Sequence, residues 1–244
     1  MIDIKDLKKK FGDKEVLRGI NLTIEKGITL VIIGRSGEGK SVLLKHIIGL
    51  LKPDSGQVTI EGKDITVMNE KQLYEMRKKF GFLFQGAALF DSMSVEENIG
   101  LALKENTRLS KKEIADIVSE KLEMVSLPNI QQMKPSDLSG GMKKRVSLAR
   151  SLATNPEYIL YDEPTTGLDP VMSDQIDDLI KELSEKLKVT SIVVTHDIFS
   201  VYDVADSVAM MHEGKIYFRG TPKELTQTDD PLIRDFLNRT DKKI

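Results

Sequence analysis

Residues 34–41 read Gly34-Arg35-Ser36-Gly37-Glu38-Gly39-Lys40-Ser41, the spacing G-x-x-x-x-G-K-[ST]. Glycines let the backbone curl until successive N–H groups point into one concavity, where they donate to phosphate oxygens. A helix opening near Lys40 adds the partial positive charge of its N-terminus. Lys40 brings a mobile full charge to β- and γ-phosphates, and Ser41 an oxygen for Mg²⁺. The competing reading is a Gly-rich turn that only caps a helix. This loop implies nucleotide binding, and hydrolysis needs further groups. Asp162 and Glu163 follow the apolar run Tyr158–Tyr161. Asp162 at a strand end is placed to hold Mg²⁺ through water, and Glu163 to orient or deprotonate an attacking water. A strand ending in a solvated acidic turn is the alternative. His196, after Ser191–Thr195, reads as a γ-phosphate contact or as a helix-capping histidine beside Asp197.

These groups need elements that bring them together. Thr29–Ile33, Phe80–Phe84, Tyr158–Tyr161 and Ser191–Val194 are short apolar runs that read as strands buried on both faces. Such strands need helices on both sides of the sheet, so the fold class is α/β. In open α/β sheets ligands collect beyond the carboxyl ends of the strands, where Gly34, Asp162 and His196 all fall. Val16–Glu25 and Gln57–Glu61 alternate more, around the turn residues Lys52–Gly56, and predict antiparallel strands. Ser207–Met211, Glu213-Gly214 and Lys215–Phe218 predict a hairpin.

From about Ala88 to Asp137 the pattern turns helical, over Val95–Lys104 and Ser110–Ser126, with Ser110 and Glu113 spaced as a capping box. The expected architecture is a P-loop NTPase core of mixed, largely parallel sheet, with an N-terminal antiparallel β subdomain and an inserted α-helical subdomain. Residues 1–87 and 140–244 would form the nucleotide-binding core, and 88–139 the helical insertion, within one domain. Leu138-Ser139-Gly140-Gly141-Met142 closes the insertion and opens a helix through Arg150. Ser139 is a good N-cap, and two glycines allow close backbone approach, so this helix start is a second anion site or simply a capped helix.

The bulk properties exclude several other classes. The chain has 244 residues, 40% hydrophobic and 30% charged, with a formal net charge of -2. That balance suits a globular domain and gives no electrostatic reason to expect nucleic acid as a partner. With no cysteine, disulfides, zinc-thiolate sites and thiol catalysis drop out. The apolar runs are of strand length, far short of a membrane span, and no secretory h-region opens the chain.

Taken together, the P-loop, Gln85 after its strand, Leu-Ser-Gly-Gly, Tyr161-Asp162-Glu163-Pro164, Gly167-Leu168-Asp169 and His196 resemble the ABC transporter ATPase family in order and spacing. The resemblance covers nearly the whole chain. It implies binding and hydrolysis of ATP with Mg²⁺, in a head-to-tail ATP-dependent homodimer. Arg35, Ser36, Gly37, Gly39, Lys40, Ser41 and Val42 would cradle the nucleotide. Ser139, Gly140 and Gly141 of the second copy would close over it. Gln85 would sense Mg²⁺, joining Ser41 and Asp162 as its ligands and Glu163 and His196 in catalysis. Asp169 would lie in the loop crossing the interface. Phe11 matches the position that stacks on adenine, or is a core or turn aromatic. The resemblance also implies an integral-membrane permease on another chain, and a cytoplasmic, peripheral place on the inner membrane.

Met142 stands where most of the family has Gln. With Val42–Leu50 after the P-loop and Gly86–Val95 after Gln85, it resembles the Mce/Mla-type branch, whose ATPases power phospholipid movement in diderm bacteria. A periplasmic lipid-binding subunit, reached through the permease, is then implied. Another cargo (amino acid, drug or lipoprotein) and a soluble non-transport ABC ATPase are the alternatives. Asp230–Leu237 is expected to be an amphipathic helix packed on its own core or on a neighbour, and Asp241–Ile244 to fray.

Overall fold

Two sheets share one layer of apolar side chains, and the phosphate loop leaves the junction between them. In the computed structural model, residues 1–241 are described. The chain begins with β1 (Ile2–Phe11), β2 (Lys14–Ile24), β3 (Thr29–Ile33), α1 (Lys40–Ile47), β4 (Ser55–Ile60), β5 (Lys63–Asp64), α2 (Glu70–Arg77) and β6 (Phe80–Leu83). It continues with α3 (Val95–Asn106), α4 (Lys111–Met124), α5 (Gly140–Leu152), β7 (Tyr158–Asp162), α6 (Pro170–Leu187) and β8 (Thr190–Thr195). The last elements are α7 (Ile198–Val204), β9 (Ser207–His212), β10 (Lys215–Gly220), α8 (Pro222–Gln227) and α9 (Pro231–Asp241).

The first sheet is antiparallel, in the order β2-β1-β4-β5. The second runs β10-β9-β3-β8-β7-β6, with all neighbours parallel except the β9–β10 hairpin at one edge. Every residue of β3, β7 and β8 is buried, as central parallel strands require. Their side chains alternate between two cores. Leu30, Ile32, Leu160 and Ile192 face α1 and the antiparallel sheet, where Ile2, Leu17, Leu43 and Ile47 pack. Val31, Ile33, Ile159 and Val193 face the other way, toward α5, α6, α7 and α9.

β6 departs from the expectation. It ends at Leu83 rather than Phe84, and Gly81 and Leu83 are buried while Phe80 and Phe82 are only half-buried. The reason is its place: β6 is the sheet's edge, with one strand neighbour, so only the face under α5 is dry. Gly81 is required there, because a Cβ would come 2.5 Å from the Ser151 carbonyl oxygen. The helical character expected between Ala88 and Ser139 takes the form of α3 and α4, with no strand between them. Both start with complete capping boxes, Ser94 with Glu97 and Ser110 with Glu113. Ile99, Leu103, Val118 and Leu122 bury their apolar faces against Val146 of α5.

Between the two options for Asp230–Leu237, α9 packs on its own core: Ile233, Phe236 and Leu237 are buried in the cluster that holds Val208, Met210 and Leu225. The expected fraying at 241–244 falls, apart from Asp241, outside the described residues.

Candidate functional site

β3 delivers the chain into the loop 34–39, and α1 begins at Lys40. Gly37 and Gly39 have φ of 85° and 96°, in the left-handed region that glycine adopts without strain. Gly39 is the N-cap of α1 with no side-chain cap, so the first N–H groups of the helix are left for a ligand. Lys40 is 6% exposed, and its Nζ donates to the carbonyl oxygens of Gly34 (2.8 Å) and Arg35 (3.3 Å). The same Nζ lies 3.6 Å from Glu163 Oε1. Ser41 Oγ donates to Asp162 Oδ1 at 2.6 Å, which ties the start of α1 to the end of β7. Val42 is half-buried against the α1-side core.

Gly34 allows no side chain for a different reason: a Cβ would sit 2.7 Å from the Met211 carbonyl oxygen on β9. Gly34→Ala is expected to push the loop off β9 and destabilise the fold by about 1–3 kcal/mol. A thermal melt and an ATP titration on the purified variant would check it; unchanged values for both would contradict it.

Glu163 directly follows β7 in a left-handed conformation, φ 52°, unusual for a residue with a side chain. Its N–H donates to the Val194 carbonyl oxygen at 2.8 Å, fixing it against β8. Its Oε2 lies 2.7 Å from His196 Nδ1 and accepts a bond from Thr166 Oγ1 at 3.0 Å. Burial pushes the Glu163 carboxyl up, but the bond to His196, its charge and that of Lys40 outweigh burial and hold the pKa below the ordinary 4.5. His196 is raised above its ordinary 6.5, first by the bond to Glu163, against an opposing loss of hydration. The two shifts define a pH window. The Glu163 contribution to stability is present above 4.5 and lost as pH falls through its lower folded value. The His196 contribution is full below 6.5 and lost as pH rises through its higher folded value. His196→Ala should therefore lower the melting temperature most between the two ordinary values, 4.5 and 6.5, with the gap shrinking on the alkaline side. A gap that widens with alkaline pH would contradict the pairing. Its size should be small, since the imidazole is about half exposed.

After β6 the chain turns through Gln85, which is exposed, into Ala87 and Ala88, both left-handed at φ 60° and 49°. α5 holds this turn. Lys144 Nζ donates to the Gln85 carbonyl oxygen, Ser147 Oγ to that of Ala87 (2.8 Å), and Arg150 to those of Ala87 (2.8 Å) and Ala88 (2.7 Å). Lys144 also donates to the Glu163 carbonyl oxygen at 3.2 Å. Sequence reasoning did not single out Lys144, Ser147, Arg150 or Thr166. The first three recur every three residues of α5, and that spacing was the available signal.

Ser139 caps α5, its Oγ accepting from the Met142 N–H at 3.3 Å. Gly141 lies under Met172, whose Cε would be 2.0 Å from a Cβ there. Asp169 caps α6, accepting from the Met172 N–H at 3.0 Å. Ser139 and Gly140 are exposed. Among the described residues, no hydrogen bond or ion pair joins Ser139–Gly141 to the loop 34–41. The structure thus gathers Lys40, Ser41, Asp162, Glu163 and His196, and leaves the α5 start apart from them. Phe11, 47% exposed at the end of β1, is no core residue; its ring faces Lys9 Nζ at 5.6 Å. Arg35 and Ser36 are also exposed, and the Arg35 guanidinium donates to Asp235 of α9 at 2.6 Å.

A family model described as ABC transporter matches residues 17–166. The Haemophilus influenzae "Intermembrane phospholipid transport system ATP-binding protein MlaF" is 41% identical over 237 residues, 97% of this chain and 90% of that protein. The Mycobacterium leprae "Probable ribonucleotide transport ATP-binding protein mkl" is also 41% identical, over 97% of this chain and 68% of its own length. Among solved structures, a "Dimeric structure of a post-hydrolysis state of the ATP-binding cassette MJ0796 bound to ADP and Pi" superposes with a TM-score of 0.83 at 34% identity. That match covers 91% of this chain and 99% of that one.

Proposed function

Since the chain belongs to the ABC transporter family and is an ATPase of that family, we propose that it powers phospholipid transport through a permease on a separate membrane chain. ATPases of this family dimerise and work with permease subunits. Among the described residues no helix is long and apolar enough to cross a membrane. The proposed position is therefore peripheral, on the cytoplasmic face of the inner membrane, held there by the permease.

In this reading ATP enters with its phosphates against the loop 34–39 and the first turn of α1, cradled by Arg35, Ser36, Gly37, Gly39, Lys40, Ser41 and Val42, with adenine on Phe11. Lys40 turns from the Gly34 and Arg35 carbonyls toward the β- and γ-phosphates. Ser41 and Asp162, already 2.6 Å apart, and Gln85 would hold Mg²⁺, which supplies charge neutralisation on the phosphates when bound. These residues fit Mg²⁺, which prefers hard oxygen donors: the Ser41 hydroxyl and an Asp162 carboxylate oxygen already lie together, and water and phosphate oxygens would supply its other ligands. Glu163, kept ionised by His196 and Lys40, accepts a proton from the water that attacks the γ-phosphorus, and ADP and phosphate leave. His196 holds the Glu163 carboxylate in place. The observation that carries the dimeric form is the separation of the helix start at Ser139 and Gly140, both exposed, from the phosphate loop. A second copy, head to tail, would bring its own Ser139, Gly140 and Gly141 to the γ-phosphate, and its Asp169 loop across the interface. Residues 1–87 and 140–244 then act as the nucleotide-binding core, and 88–139 as the helical insertion that meets the permease.

Phospholipid as cargo rests on Leu138–Met142 and the P-loop flank, together with the 41% identity to MlaF. Affinity purification of the chain from native membranes tests it. We expect an integral-membrane permease and bound phospholipid to co-purify, with a periplasmic lipid-binding subunit attached through the permease. A permease that carries no lipid but binds ribonucleotides would replace this reading with the one in the name of the mycobacterial relative.

A further inference from the structure

We propose that Lys144 is a positioning residue for hydrolysis, one that holds the Gln85 loop and Glu163 in a common register from α5. This inference rests on the roles given above to Gln85 and Glu163. Lys144 is 5% exposed, and a lysine is seldom buried so far without partners for its charge. Its bonding partners are neither Asp nor Glu side chains. They are two backbone carbonyl oxygens, those of Gln85 and Glu163. Each belongs to a residue at the reaction centre, and they lie 59 and 19 positions from Lys144 in the chain.

Both segments need outside support. Glu163 stands at φ 52°, and Ala87 and Ala88 at φ 60° and 49°, conformations that persist in residues with side chains only when neighbours impose them. For the loop, Ser147 and Arg150 share the work with Lys144. At the Glu163 carbonyl Lys144 Nζ (3.2 Å) is the side-chain donor, beside the backbone N–H of Thr166 at 3.3 Å. Turning that carbonyl away would rotate the peptide of Glu163 and carry its carboxylate off Lys40 and His196. Ser139 caps the same helix five positions before Lys144, so whatever displaces the start of α5 reaches Gln85 and Glu163 through one side chain. Met142, Lys143 and Lys144 follow one another there, and among them Lys144 is the one turned inward and buried.

The experiment compares Lys144→Met, which keeps the aliphatic stem and removes the donors, with Lys144→Gln, a shorter neutral donor. The full chain is purified with its membrane subunit, and ATPase rates are divided by the number of nucleotide-binding sites titrated. We expect kcat to fall about tenfold or more in Lys144→Met at a KM for ATP within about twofold of wild type, because a charge-assisted bond at the reacting geometry is lost. Lys144→Gln should lie between, about three- to fivefold down, since an amide restores one of the two bonds. A kcat for Lys144→Met within about twofold of wild type, or a loss that appears in KM instead, would overturn the proposal. If Lys144→Met yields no folded protein, Lys144→Gln decides: the intermediate kcat supports the proposal and the wild-type value overturns it. Glu163→Gln in the same assay reports separately on the underlying reading. Should that variant turn over normally, the role of Glu163 has failed whatever Lys144 does.

Discussion

Glu163→Gln is expected to lower ATP turnover by about 10²–10⁴-fold, the range that a positioned general base contributes. The substitution is close to isosteric. An amide oxygen in the place of Oε2 still accepts from Thr166 and His196, so the loop after β7 has no reason to refold. What disappears is the ability to take a proton. The carboxylate is well suited to that task because His196 and Lys40 keep it ionised despite burial. ATP affinity should change little, since the phosphates are held by the loop 34–41, where the substitution alters one contact, that of Lys40 Nζ with Oε1 at 3.6 Å. Bound ATP that is not hydrolysed should also hold two copies together, so sedimentation of this variant should give a dimer with ATP and a lighter species with ADP. Normal turnover would remove Glu163 from the mechanism.

Lys40→Ala should weaken ATP binding by about 100-fold or more, because one or two charge-assisted hydrogen bonds to the triphosphate go, each worth roughly 1.5–3 kcal/mol. The structure adds a second loss. Lys40 closes the loop on itself through the Gly34 and Arg35 carbonyls, and its charge helps keep Glu163 ionised. Without it, the buried Gly34 carbonyl oxygen loses its side-chain donor, the Arg35 carbonyl keeps only the Glu38 N–H, and the carboxyl of Glu163 moves up toward its ordinary range. Calorimetric titration with ATP is the direct check. An affinity equal to that of wild type would contradict the assignment of residues 34–41.

The separation of roles along the chain explains what could be read from sequence. Strand ends that carry chemistry were legible because apolar runs such as Thr29–Ile33 and Tyr158–Tyr161 stop abruptly at Gly34 and Asp162, and hydrophobic burial dictates where such runs sit. The capping box at Ser110 was legible because its two partners are three residues apart. β1 was not singled out as a strand: Lys8-Lys9-Lys10 masks its alternation, and its register shifts beside those lysines break the period. α2 was missed as well, since Leu73 and Met76 are the residues it buries and the rest of it is polar. In the site, the type and spacing of Lys40, Ser41, Asp162 and Glu163 were readable. Their support was not. The left-handed positions Glu163, Ala87 and Ala88 are not glycines, and side-chain donors that sustain them come from a helix far along the chain. Such contacts exist only once the sheet and α5 have been packed together.

The most direct test of the whole account uses the complex purified from native membranes and placed in phospholipid vesicles. One measures movement of a labelled phospholipid with ATP, with ADP, and with ATP on the Glu163→Gln complex. The account predicts lipid movement with ATP on the wild-type complex alone. Lipid movement that ignores nucleotide, or that survives Glu163→Gln undiminished, would contradict it.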